Sequence, residues 1–107
     1  MIIGSCLCGD IAWEVAHPFD AIWHCHCSLC RKAHGTAFAT IGLASGFRWL
    51  RGEGSLRNFS VTGVSQRPFC PSCGSVLARV TGARAFIPMG CQDGDPGACP
   101  SGHLFAG

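Results

Sequence analysis

Cys25, Cys27 and Cys30 fall within six residues in a C-x-C-x2-C pattern, and this stretch limits the chain more than any other. Packing alone would accept Ala or Val at these places, and three neighbouring free thiols invite oxidation. A zinc ion removes the hazard by taking all three as thiolates, and zinc ordinarily wants four ligands. Three protein ligands with one position open are the pattern of a reactive zinc rather than a structural one. A fourth ligand from His24 or His26 would instead close the site, and that alternative stays open. An imidazole next to a thiolate in sequence is, however, awkward for one tetrahedral ion.

A second pattern lies at Cys70-Pro71-Ser72-Cys73-Gly74. A C-x2-C turn directs two sulfurs at one metal, Pro71 presets the turn, and Gly74 permits the backbone that follows. Cys6 and Cys8 can supply the other two thiolates from the far end of the chain. Such a closed four-thiolate site supplies folding energy, because the loop it closes is long. The competing reading makes Cys6 and Cys8 buried apolar residues beside a redox C-x2-C pair. That pair normally needs a strand–helix context, which is lacking here.

Two zinc ions are therefore expected, on seven of the nine cysteines. An odd total in clusters fits metal better than a disulfide framework. Cys91 and Cys99 are left as incidental thiols, with a disulfide or an added ligand as the alternative. At 107 residues the chain reads as one domain, 1–107. Its fifteen glycines dilute the core, and a metal staple answers that weakness.

Several classes fall away. The opening residues show no charged region followed by a long apolar run, and no stretch is long enough to span a membrane, which predicts a cytoplasmic chain with reduced thiols. The formal charge of +2 is no nucleic-acid signature. Once seven thiolates on two zinc ions are counted, the balance turns slightly negative.

Short runs of period-two alternation recur every eight to twelve residues or so and predict an antiparallel all-β domain. Strands are expected at 1–7, 10–15 (Ile11, Trp13 and Val15 inward, Ala12 and Glu14 outward), 21–24, 36–43, 47–50, 55–61, 76–80 and 85–89. Turns are expected at 17–20 and 62–66. One short helix is expected from Ser28, as N-cap, to His34, closed by Gly35. Trp13, Trp23 and Trp49 read as core.

The chemistry follows from the first cluster. Three thiolates on zinc leave a net negative charge, and Arg31, Lys32 and His34 in the same segment would offset it or receive substrate carboxylates. The alternative for these three is a solvated helix face. Zinc lowers the pKa of a bound thiol, so the open position suits a small thiol activated against an aldehyde carbon. In reverse, the same site cleaves a carbon–sulfur bond. No dedicated general acid or base is evident.

With these residues in view, the chain resembles the glutathione-dependent formaldehyde-activating enzyme family, which includes centromere protein V. The resemblance runs through Gly4-Ser5-Cys6-Leu7-Cys8-Gly9, through Cys25 to Lys32 with Gly35, through Arg67 to Ser75, and into the Pro100 to His103 segment. It implies a β-tent (Mss4-like) fold of stacked antiparallel sheets with one short helix, stabilised by zinc. It implies a structural zinc on Cys6, Cys8, Cys70 and Cys73 and a catalytic zinc on Cys25, Cys27 and Cys30. It also implies carbon–sulfur lyase chemistry joining glutathione and formaldehyde as S-(hydroxymethyl)glutathione. Family members usually continue past the histidine-hydrophobic segment with a tryptophan-bearing stretch, whereas this sequence stops at Gly107. A homodimer supplying the absent pocket wall is the expectation drawn from that. Two rivals stand beside the enzyme. One is a zinc-stabilised protein-interaction module. The other is a thiol redox protein relying on Cys91 or Cys99.

Overall fold

The computed structural model describes residues 2–16, 19–60, 66–94 and 100–104. The expected turns at 17–18 and 62–65, together with Cys99 and the last three residues, lie outside that set. Ten strands and one α-helix occur among the described residues. In chain order they are β1 (Ile2–Ser5), β2 (Ala12–Val15), β3 (Ala21–Cys25), α1 (Ser28–His34), β4 (Ala39–Ser45), β5 (Phe47–Arg51), β6 (Arg57–Ser60), β7 (Gln66–Phe69), β8 (Arg79–Thr81), β9 (Arg84–Pro88) and β10 (His103–Leu104).

They form three sheets, ordered β1-β2-β5, β10-β3-β4-β9-β8 and β6-β7. Every strand pairing is antiparallel except β10 on β3, which is parallel. The mostly-β architecture with one short helix expected from the sequence is the one observed, and it carries two cysteine clusters that could hold zinc.

Register explains where the core and the cavity lie. In the five-stranded sheet Ile22 faces Gly42 across β3–β4, Gly42 faces Ile87, and Ala44 faces Ala85. These residues share one face and pack with Trp13, Val15 and Phe19 to make the main core. The alternate positions Trp23, Cys25, Ala39, Ile41 and Phe86 share the opposite face and build a second cluster with Cys30. One sheet therefore serves the core with one surface and the first thiol cluster with the other.

Three local expectations need correction. The 10–15 strand is not half-buried: residues 11 to 15 are all buried, Glu14 included. Strand β2 sits between β1 and β5, and Glu14 is ion-paired with Arg48 on the neighbouring strand. The helix cap is Cys27 rather than Ser28. Cys27 is extended (φ −63°, ψ 153°) and its sulfur accepts the Cys30 N–H, doing what a serine oxygen ordinarily does. Gly35 closes the helix in the left-handed region as expected, at φ 66°. Finally, residues 66–69 are a strand paired with β6, not merely an approach to Cys70. Val76 makes only a bridge to Phe69, so the following strand starts at Arg79 instead.

Candidate metal centres

Two groups of sulfurs converge. Cys6, Cys8, Cys70 and Cys73 have all their Sγ atoms within 4.8 Å of one another, and so do Cys25, Cys27 and Cys30. Tetrahedral zinc with bonds of about 2.3 Å sets its sulfurs about 3.8 Å apart. The separations Cys6–Cys8, 3.6 Å, and Cys8–Cys70, 3.8 Å, match that spacing. The donor set fits a thiolate-bound divalent ion.

The first group is built from two turns facing each other. The Gly9 N–H bonds the Cys6 carbonyl, and the Gly74 N–H bonds the Cys70 carbonyl. Gly74 has φ 79°, which a side chain would resist. Ser75 joins the turns: its hydroxyl accepts the Leu7 N–H and lies 3.3 Å from the Cys73 sulfur. The Ile11 N–H points at the Cys6 sulfur, 3.4 Å away. Below them Cys6 and Cys70 pack with Ile11 and Leu77, so the group sits on its own small core.

The second group stands at the end of β3 and the start of α1. Among the described residues, no histidine or carboxylate joins these three sulfurs. His24 is held by Thr40, its Nδ1 being 2.9 Å from the hydroxyl. His26 Nε2 lies 2.8 Å from His103 Nδ1. Beside the sulfurs lies a cavity of about 280 Å³, lined by the sheet face (Trp23, Ile41, Phe86), by His34 of α1, and by Arg67 and Arg79.

In each group the sulfurs pull one another's acidities apart. Cys73 is drawn down to about 5 by hydrogen bonds from the Ser75 side chain and backbone. Cys30 is pushed up to about 12 by burial and then by Cys25 and Cys27. Cys27 is lowered: burial opposes this, but the Cys30 N–H favours its thiolate. Crowded like charges behave this way, and a divalent cation among them removes the conflict. Burial, followed by the charge of Arg67, lowers the pKa of His34.

The structure separates the basic residues singled out in the sequence. His34 lines the cavity. Arg31 and Lys32 are exposed, and Lys32 instead borders an adjoining groove with Leu29, Phe59 and Phe69. Arg67, Arg79 and Trp23 line the cavity without having been marked for it. Trp13 is core, at 0% exposure. Cys91 belongs to neither group but packs against the core beneath Cys6 and Cys70, and donates its S–H to the Val76 carbonyl at 3.1 Å.

The family model described as glutathione-dependent formaldehyde-activating enzyme matches residues 1–107. A Halomonas elongata protein, provisionally named as such an enzyme, is 31% identical over 85 residues. The match takes in 72% of this chain and 54% of the relative, so the chain spans about half of that protein's length. A crystal structure of a Rhodobacter sphaeroides protein superposes with a TM-score of 0.69 at 23% identity, covering 87% of this chain and 89% of that one, and shows the same fold.

Proposed function

The chain belongs to the glutathione-dependent formaldehyde-activating enzyme family, and on that premise we propose that it is a carbon–sulfur lyase that makes and breaks thiol–aldehyde adducts of the S-(hydroxymethyl)glutathione type. The observation that carries the reading is the second sulfur group: three thiols converge beside a cavity, with no fourth protein ligand among the described residues. A closed interaction module would fill that position from the protein.

Cys6, Cys8, Cys70 and Cys73 would hold a structural zinc, and Cys25, Cys27 and Cys30 the reactive one. Bound there, the ion would supply Lewis acidity that keeps a substrate thiol ionised at neutral pH. The chain's own residues do the rest. Trp23, Ile41 and Phe86 give the cavity apolar walls that exclude water. His34, its basicity lowered, is a neutral imidazole near pH 7 and can take the proton that the thiol loses. In the forward direction a sulfur–carbon bond forms, the carbonyl π pair moves to oxygen, and that oxygen gains a proton as a hydroxyl. The reverse returns thiol and aldehyde. This reading calls for a compartment in which thiols stay reduced, such as the cytoplasm.

Exchange NMR on a glutathione–formaldehyde mixture tests this. Zinc-loaded protein should accelerate interconversion of adduct and free thiol, and a folded Cys27→Ser variant should not. A folded protein carrying two zinc ions that leaves the exchange at its uncatalysed rate would overturn the proposal.

A further inference from the structure

The cavity beside Cys25, Cys27 and Cys30 contains two guanidinium groups and no carboxylate. Arg67 and Arg79 both line it, and among the described residues no Asp or Glu does. Arg67 reaches from β7, with Nη1 and Nη2 each 3.9 Å from the Cys30 sulfur. Its Nε is buried and has no hydrogen-bond partner. Arg79 lies over the Phe86 ring, its guanidinium carbon 4.7 Å from the ring centre, so the aromatic face fixes its direction. Among the described residues the ion pair formed is Arg48 with Glu14, on a different sheet. Both Nη groups of Arg67 face the Cys30 sulfur, which leaves its buried Nε–H to be satisfied, and Arg79 faces an aromatic ring. Guanidinium donors left over in a partly buried cavity are suited to a planar carboxylate.

We propose that Arg67 and Arg79 form an anion subsite that receives a carboxylate of the thiol substrate, so that the cavity selects mercapto-carboxylates over neutral and cationic thiols. The inference rests on the thiol–aldehyde reading and deepens it. It moves carboxylate recognition from the exposed face of α1, where Arg31 and Lys32 sit, to the cavity wall. Arg67 thereby has two neighbours of negative character, the Cys30 sulfur on one side and the substrate carboxylate on the other. Its place between them orients the substrate sulfur toward the three thiols.

The test is calorimetric and needs no turnover. Zinc-loaded protein is titrated with three thiols of similar size: 3-mercaptopropionate, 2-mercaptoethanol and cysteamine. The expected order of affinity is carboxylate, then hydroxyl, then ammonium, with the first step roughly tenfold or more. Arg67→Met and Arg79→Met should each weaken 3-mercaptopropionate more than 2-mercaptoethanol and so shrink that first step, and Arg67→Lys should recover part of it. Arg84→Ala, on the exposed end of β9, should leave the order unchanged. Zinc content and thermal unfolding check that each variant is folded. Equal affinities for 3-mercaptopropionate and 2-mercaptoethanol on wild type would overturn the subsite while leaving the thiol reading intact. Should no thiol bind, propionate is titrated alone. Binding that disappears in Arg67→Met keeps the anion subsite and sinks the thiol reading, and no binding of either sinks both.

Discussion

The two sulfur groups are made of the same residue and differ in almost everything else. One joins turns that are sixty-two residues apart, as measured by the Cys8–Cys70 contact, and rests on Ile11 and Leu77. The other is assembled within six residues, caps a helix with its own middle sulfur, and borders a cavity. Long-range closure with four sulfurs contributes to folding, because an ion bound there is bound only when both ends have met. Local closure with three sulfurs contributes little to folding and leaves a position for chemistry. How far apart the ligands lie in sequence, as much as how many there are, divides the labour.

The largest expected effect breaks the comparison outright if it fails. Cys70→Ser should abolish cooperative thermal unfolding, since the energy of a structural zinc, about 10 kcal/mol or more, rivals the whole stability of a small domain. Cys27→Ser should unfold cooperatively near the wild-type temperature and carry one zinc instead of two, by elemental analysis. If both variants behave alike, the division between the groups is wrong. Chelator challenge is the next sharpest. Zinc release followed with a colorimetric chelator should show two phases, the first one equivalent with no change in far-ultraviolet dichroism, the second accompanied by unfolding.

Ser75→Ala probes the bond that joins the two turns of the closed group. Removing the hydroxyl frees the Leu7 N–H and the Cys73 sulfur, and should cost roughly 0.5–1.5 kcal/mol in denaturant unfolding. Removing the hydroxyl of Ser28, in the open group's segment, should cost far less. The smallest effect concerns Cys91, which belongs to neither group. Burial pushes its thiol up to about 11 from an ordinary 9.0. A raised folded-state pKa means that the neutral thiol's contribution is fully present below pH 9 and is lost as pH rises through 11. The melting temperature of wild type should therefore decline over that interval more than that of Cys91→Ala. Iodoacetamide should leave Cys91 unmodified in the folded protein at pH 8.

Much of this was legible in the sequence because cysteine spacing is local and chemically restrictive. The C-x-C and C-x2-C turns named the sulfurs that the fold brings together, and alternation over Ile22, Trp23 and Ile41 located strands. What alternation did not supply was the third dimension. Arg67 stands three residues before Cys70, and Arg79 stands opposite Phe86 in a register that only the folded β8–β9 hairpin creates. Arg31 and Lys32 drew attention because they follow Cys30 directly, yet consecutive residues on a helix point around its axis, and only His34 returns to the cavity side. Cys27 as the helix cap was hidden for a related reason: sequence rules favour serine there, and the sulfur was already assigned another task.

The parallel strand β10 has a consequence for how the molecule behaves in a crowded solution. The His24 N–H bonds the Gly102 carbonyl and the Ser101 N–H bonds the Ile22 carbonyl, so the outer margin of β3 is covered. Strip that cover away and the apolar run Ala21-Ile22-Trp23 becomes an open template onto which another copy can add. A short segment thus guards the protein against pairing with itself edge to edge.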